Sequence, residues 1–331
     1  MRRHAFTTLA LTAVILISAY GQSGGSVQRL DPALDKIVPA TATVEKVHGG
    51  FRFTEGPVWD RAGRYLLFSD VMGNAILKWT ADDAVVPFRK SVFPGQFADG
   101  VLIGSNGLTL DAQGRLLAAE HGSRRVTRME KNGSLTVLAD RYQGKRLNSP
   151  NDLVVTKNGS IYFTDPFGLT RTFPGSVPDA FRRELDFTGL YRVTAPGTIE
   201  LLSKDLSYPN GLALSPDERQ LYVANSRPEK YWMVFDVRSD GSIANGRQFF
   251  VSEDTTDVVP DGMKVDTAGN LYLTGPGGIL IVNSSGKQLG TIRVPETVAN
   301  LAWGDADGKT LYITARTSLY RVRLNATGVR P

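Results

Sequence analysis

The chain has 331 residues and no cysteine, enough length to bury a large core but no means of bracing it with disulfides or anchoring it through a lipidated thiol. Lys and Arg number 38 against 33 Asp and Glu, a formal charge of +5 that becomes +3 (36 against 33) without Arg2 and Arg3. That excess is modest, and with no basic run interleaved with aromatics it argues against a nucleic-acid partner. In chain order, Arg2, Arg3 and His4 precede an apolar run from Ala5 to Ala19, and Ala19-Tyr20-Gly21 offers small residues where a signal peptidase reads. The run is short for a membrane span. Residues 1–21 are therefore expected to be a signal peptide and the mature chain periplasmic or secreted, without a membrane span. Residues 22–40 are expected to form a flexible lead-in.

Residues 41–48, TATVEKVH, alternate as a half-buried strand does. A repeated unit follows six times: EGPVWDRAGRYLLFSD from Glu55, SNGLTLDAQGRLLAAE from Ser105, SPNDLVVTKNGSIYFTD from Ser149, YPNGLALSPDERQLYVAN from Tyr208, VPDGMKVDTAGNLYLTG from Val259 and VANLAWGDADGKTLYITA from Val298. Each reads as a β-hairpin, too small to stand alone and with room for two more strands before the next copy. Taken from Glu55, Asn106, Asn151, Asn210, Asp261 and Asn300, the intervals are 51, 45, 59, 51 and 39 residues, the spacing of propeller blades. The expected fold is all-β: one six-bladed β-propeller over residues 41–331, with four-stranded blades. The last repeat ends in SLYRVRL and lacks a fourth strand, which residues 41–48 would supply, closing the ring.

The first strand of a blade lies nearest the central channel, so Glu55, Asn106, Asn151, Asn210, Asp261 and Asn300 are expected to ring one mouth. All offer oxygen ligands. Two carboxylates with several amides, in a chain with three His and no Cys, suit a hard cation such as Ca²⁺ rather than a closed zinc site. Each second strand returns to the same mouth, bringing Asp70, His121, Asp165, Asn225 and Arg316 to the rim. The competing account is local: Asn-Gly and Asp-Gly are also what tight turns favour.

Thr54-Glu55-Gly56-Pro57-Val58-Trp59, Ser149-Pro150-Asn151-Asp152, Pro209-Asn210-Gly211-Leu212 and Pro260-Asp261-Gly262-Met263 resemble the motifs of the SMP-30/gluconolactonase, or regucalcin-like, family. The resemblance spans nearly the whole chain after residue 40. It implies a divalent cation, often calcium, at the top of the channel of a six-bladed propeller. The matching ligands are Glu55, Asn210 and Asp261, with Asn151 as ligand or substrate contact; Mg²⁺, Mn²⁺ or Zn²⁺ are alternatives to Ca²⁺. A cation there would polarise a lactone carbonyl against attack by water. Asp261 is the general base the resemblance implies, and His121, at the rim, is the alternative.

Asn106, Asn151, Asp165, Phe167 and Arg316 are the expected substrate contacts. The stretch Pro166 to Gly189 is too long for a hairpin link and is expected over the mouth, where Phe167, Phe173 and Phe181 would wall a pocket if it acts as a lid. The expected function is metal-dependent hydrolysis of a small-molecule lactone, a sugar lactone first. The alternatives are phosphotriesterase or arylesterase action at the same centre, or a calcium-stabilised propeller that binds a ligand or protein without turnover.

Overall fold

The computed structural model describes residues 24–82, 84–254 and 256–329. The expected signal peptide lies outside them, and among them no helix is long and apolar enough to cross a membrane. The repeat folds as its pattern requires. In the fourth unit, Pro209–Leu214 and Gln220–Asn225 pair antiparallel around a turn in which Ser215 Oγ meets Asp217 Oδ1 at 2.6 Å and Glu218 takes a φ of +59°. Leu212, Leu221 and Val223 face the third blade, packing with Tyr162 and Leu190, whereas Ala213, Tyr222 and Ala224 face the fifth, packing with Met263 and Leu271. Both faces of a blade are thus buried between neighbours, so these strands carry apolar residues at consecutive positions instead of alternating cleanly. Each fully buried Leu or Val contributes about 1.5–3 kcal/mol.

Six sheets form the ring. Blade one runs from the inner strand Thr54–Asp60 through Tyr65–Asp70 and Ala75–Thr80 to Val85–Lys90. Blade two begins at Ser105–Leu110, blade three at Leu153–Val155, blade four at Pro209–Leu214, blade five at Met263–Val265 and blade six at Val298–Gly304. Closure is as expected: Val44–Gly49 pairs with Ser318–Arg323 as the outer strand of blade six. The ends of the second strands lie beside the starts of the first, with Thr54 opposite Asp70 and Pro209 opposite Asn225, so both sets of candidate residues share one mouth.

The lead-in differs from expectation. Ser26–Arg29 pairs with Gln288–Arg293 as a fifth strand on blade five, and the 3₁₀ turn Pro32–Lys36 follows, its entry capped by Asp31 accepting from Ala33 N at 2.7 Å. Leu34 and Val38 are fully buried with Val44, Ile281 and Leu289. Ser-Val-Gln-Arg has little strand character of its own; it is ordered by the unpaired edge it covers.

Candidate functional site

Asn106 and Asn300 lie in the inner strands of their blades and are buried; Glu55 and Asn210 likewise, while Asn151 and Asp261 stand two residues before theirs. Close packing between blades, not turn geometry, explains the glycine that follows several of them. A Cβ on Gly107 would come within 2.5 Å of Asp152 Oδ1, and one on Gly262 within 2.1 Å of Asn300 Cγ. Their amides are also used across the ring, Gly107 N donating to Asn151 O at 2.7 Å and Gly262 N to Ala299 O at 2.8 Å. These glycines let polar side chains of the next blade reach the axis.

What gathers there is dense in charge. Glu55 is pushed up to about 7 by burial and by the charge of Asp152, although Gly56 N donates to its Oε2 at 2.7 Å and Asn300 Nδ2 at 3.1 Å. Asp261 is raised well above the usual carboxylate range by its enclosure and by the charges of Glu55 and Asp152. Asn210 stands beside Asp261; its Nδ2 donates to Ser226 Oγ at 3.0 Å, which leaves Oδ1 buried with no donor. Asn106 Oδ1 is buried without a donor as well. Oxygen groups that repel one another or lack a donor, as these four do, are what a hard cation satisfies. Among the described residues no three His, Cys, Asp or Glu side chains form a metal-binding cluster. A cation would therefore be held by the carboxylates of Glu55 and Asp261 together with amide oxygen, foremost Asn210, and the residues present fit that donor set.

A sequence model described as the SMP-30/Gluconolactonase/LRE-like region matches residues 53–317. The chain belongs to that family. It is 35% identical over 325 residues to a gluconolactonase of Zymomonas mobilis, covering 93% of this chain and 88% of that one. The solved structure of a gluconolactonase from Xanthomonas campestris superposes with a TM-score of 0.79 at 32% identity, covering 92% and 96% of the two chains. A calcium-binding regucalcin of Agrobacterium tumefaciens shares the fold, with a TM-score of 0.66 at 16% identity and coverage of 86% and 97%.

Within this family member the rim residues do several different things. Asp165, expected to touch substrate, is fully buried, with Oδ2 and Oδ1 accepting from Asn148 N and Ser149 N at 2.8 and 2.7 Å; burial pushes it up to about 7. Asp70 accepts from Arg52, Phe53 and Gly73 amides, and Asn225 from Tyr208 N at 2.9 Å. All three hold the chain as it enters an inner strand. Arg316 is exposed at the mouth in the left-handed region, φ 45°, and its carbonyl accepts from Thr54 N at 2.7 Å. His121 is buried, with Nδ1 3.3 Å from Leu102 O and Nε2 without a partner, and burial lowers it to about 4.

The 166–189 segment starts beside Ser149 and His121, Leu169 N donating to Ser149 Oγ at 3.2 Å, and its aromatics do not form the expected pocket wall. Phe181 is buried with Leu169, Val101 and Ile103, and Phe173 packs on it at 5.0 Å between ring centroids, so both form the segment's own core against the 92–103 loop rather than a pocket wall. Arg124, also buried, fastens the segment by donating to Arg182 O at 2.9 Å, and Ser149 Oγ donates to Pro166 O at 2.6 Å. Phe167 remains half-buried, with the Arg183 guanidinium 3.8 Å from its ring centroid. Arg171 lies 5.5 Å from the ring centroid of Tyr208, whose hydroxyl feels both Arg171 and Asp261.

Sequence reasoning passed over Asp152, Lys264, Tyr208 and Arg171. For Lys264 a signal existed: a cation inside the otherwise apolar inner strand Met263–Val265.

Proposed function

We propose that the protein hydrolyses lactones, with a sugar lactone as substrate and a divalent cation, calcium by preference, at the channel mouth. The observation that carries the reading is the group of buried Glu55 and Asn210 with half-buried Asp261, two carboxylates driven upward and an amide oxygen left without a donor. The gluconolactonases of Zymomonas mobilis and Xanthomonas campestris, both above 30% identity over most of the chain, support the substrate class. Oxygen-only donors of mixed charge support calcium, as does the calcium-binding relative.

Bound among these oxygens, the cation would supply Lewis-acid polarisation of the lactone carbonyl and offset the charge that develops on its oxygen. The chain's own groups do the rest. Asp261, which keeps part of its surface exposed, is the group that would take the proton of an attacking water. His121 is the weaker candidate base: with its value near 4 it is neutral at pH 7, and with Nδ1–H directed at Leu102 O its Nε2 is an acceptor, but that nitrogen is enclosed and would have to be uncovered to meet substrate. Asn106 and Asn151 at the strand starts, Tyr208, and the exposed Arg316 are placed to orient sugar hydroxyls. The folded 166–189 segment limits water access from one side of the mouth. We further propose that the leader directs export to the periplasm or beyond.

The test is a chelator-treated, metal-readdition assay across sugar lactones, aryl esters and phosphotriesters. Turnover of lactones that disappears with chelator and returns with calcium supports the reading. Cation binding without turnover of any of the three classes overturns it.

A further inference from the structure

Beside the proposed cation ligands, blades one, three, five and six meet through a single amide. Asn300 Oδ1 accepts from Leu301 N at 2.8 Å and from Lys264 Nζ at 3.3 Å, while Asn300 Nδ2 donates to Glu55 Oε2 at 3.1 Å and to Asp152 Oδ2 at 3.3 Å. The direction of that amide is dictated by its donors: Leu301 N–H and the Lys264 ammonium can only donate, so Asn300 turns its oxygen to them and its Nδ2 to the two carboxyl groups. Lys264 Nζ is further tied to Met263 O at 3.0 Å. Among the described residues Lys264 forms no direct ion pair; burial lowers it, opposed by the charges that face it across Asn300, those of Asp152 and Glu55. Asp152 is in turn fixed by Leu153 N at 2.9 Å.

We propose that Lys264 is a resident cation of the channel and, through Asn300, the positioning residue for Glu55. Resting on the metal-dependent reading above, this assigns the cluster two tasks. Its positive charge offsets Asp152 and Glu55, so that the ring stays assembled before a divalent ion binds. Its hold on Asn300 keeps one oxygen of Glu55 engaged and leaves the other for the ligand position. Asp152 belongs with Lys264 as its counter-charge and is not one of the cation's ligands. Removing one partner of an enclosed charge cluster leaves the others uncompensated, whereas removing both charges together leaves a neutral set that hydrogen bonds can still satisfy.

The experiment compares the parent protein, Lys264→Met, Asp152→Asn and the double variant by thermal unfolding, first in chelator and then in excess calcium. In chelator, Lys264→Met should lower Tm by roughly 5 °C or more, and adding Asp152→Asn should recover at least half of that loss. Calcium should raise the Tm of Lys264→Met by more than it raises the parent's, with the double variant returning toward the parental increment. A double variant that melts below both single variants, or equal Tm values for Lys264→Met and parent in chelator, overturns the proposal. If Lys264→Met does not fold in chelator, a folded double variant supports the charge role and an unfolded one overturns it. Failure of the metal-dependent reading looks different: calcium would then shift neither the parent nor any variant, while the comparison in chelator would still decide the role of Lys264.

Discussion

Two sets of acids and amides share the mouth of this propeller, and they differ in what satisfies them. Asp70, Asp165 and Asn225 at the ends of the second strands are supplied with backbone N–H donors, two or more in the case of the aspartates. Glu55, Asn210 and Asp261 near the inner-strand starts are left unbalanced: Asn210 Oδ1 has no donor, and the two carboxylates, although Glu55 has two donors of its own, face each other's charge and that of Asp152. A polar group with its partners already in place stabilises a fold; one left short is available to a ligand. Residue type separates neither set, since both contain Asp and Asn. Uncompensated mutual charge and the unpaired amide oxygen do.

The largest effect that would break this contrast is expected at Asp261. Asp261→Asn keeps an oxygen at the proposed ligand position and removes the proposed base, so lactonase kcat should fall by roughly 100-fold or more at saturating calcium, while His121→Ala, measured alongside, should fall by less than about tenfold. Recovery of Asp261→Asn to near-parental rates in excess calcium would reduce it to a ligand and move the base to His121. Asp165→Ala should show the reverse pattern. It strands two buried N–H groups and should cost roughly 3 kcal/mol in urea unfolding, with calcium affinity unchanged; a loss of affinity at unchanged stability would place it in the site after all.

The pH dependence sharpens the same contrast. Glu55 and Asp165 are both raised in the folded state to about 7, so the native protein holds protons there that the unfolded chain releases above about 4. Their contribution is therefore fully present at low pH and is lost as pH rises toward 7. His121, lowered to about 4, acts in the opposite direction as pH falls from 6.5, but Asp152 and Asp261 are raised too, so the carboxylates outweigh one imidazole. In chelator, urea midpoints should fall between pH 4.5 and 7. Excess calcium should flatten the part due to Glu55 and Asp261, leaving that of Asp165, and unchanged slopes would contradict a cation at those ligands. The smallest effect belongs to Arg316→Ala, which keeps the carbonyl that holds Thr54. It should leave Tm in place and raise KM by no more than a few-fold.

The ring was legible in the sequence because each hairpin is local. Leu212 to Val223 carries its own turn and strand pattern, and six copies at blade spacing require six blades. For the same reason the positions of Glu55, Asn210 and Asp261 could be read, since a strand start repeats with the unit that contains it. Closure by residues 41–48 followed from a missing fourth strand. The strand at Ser26–Arg29 could not be read, because the edge of blade five that orders it is made by residues 288–293. Nor could the donors that make Asp165 a clamp, which come from backbone amides, groups that every residue carries and no pattern marks. The link from Lys264 through Asn300 to Glu55 and Asp152 joins four blades across the axis, and its members have no common spacing in the chain. Periodicity acts along the chain and fixes the blades; only ring closure brings blades one, three, five and six to one point, and there tertiary contact decides which oxygens keep a free lone pair.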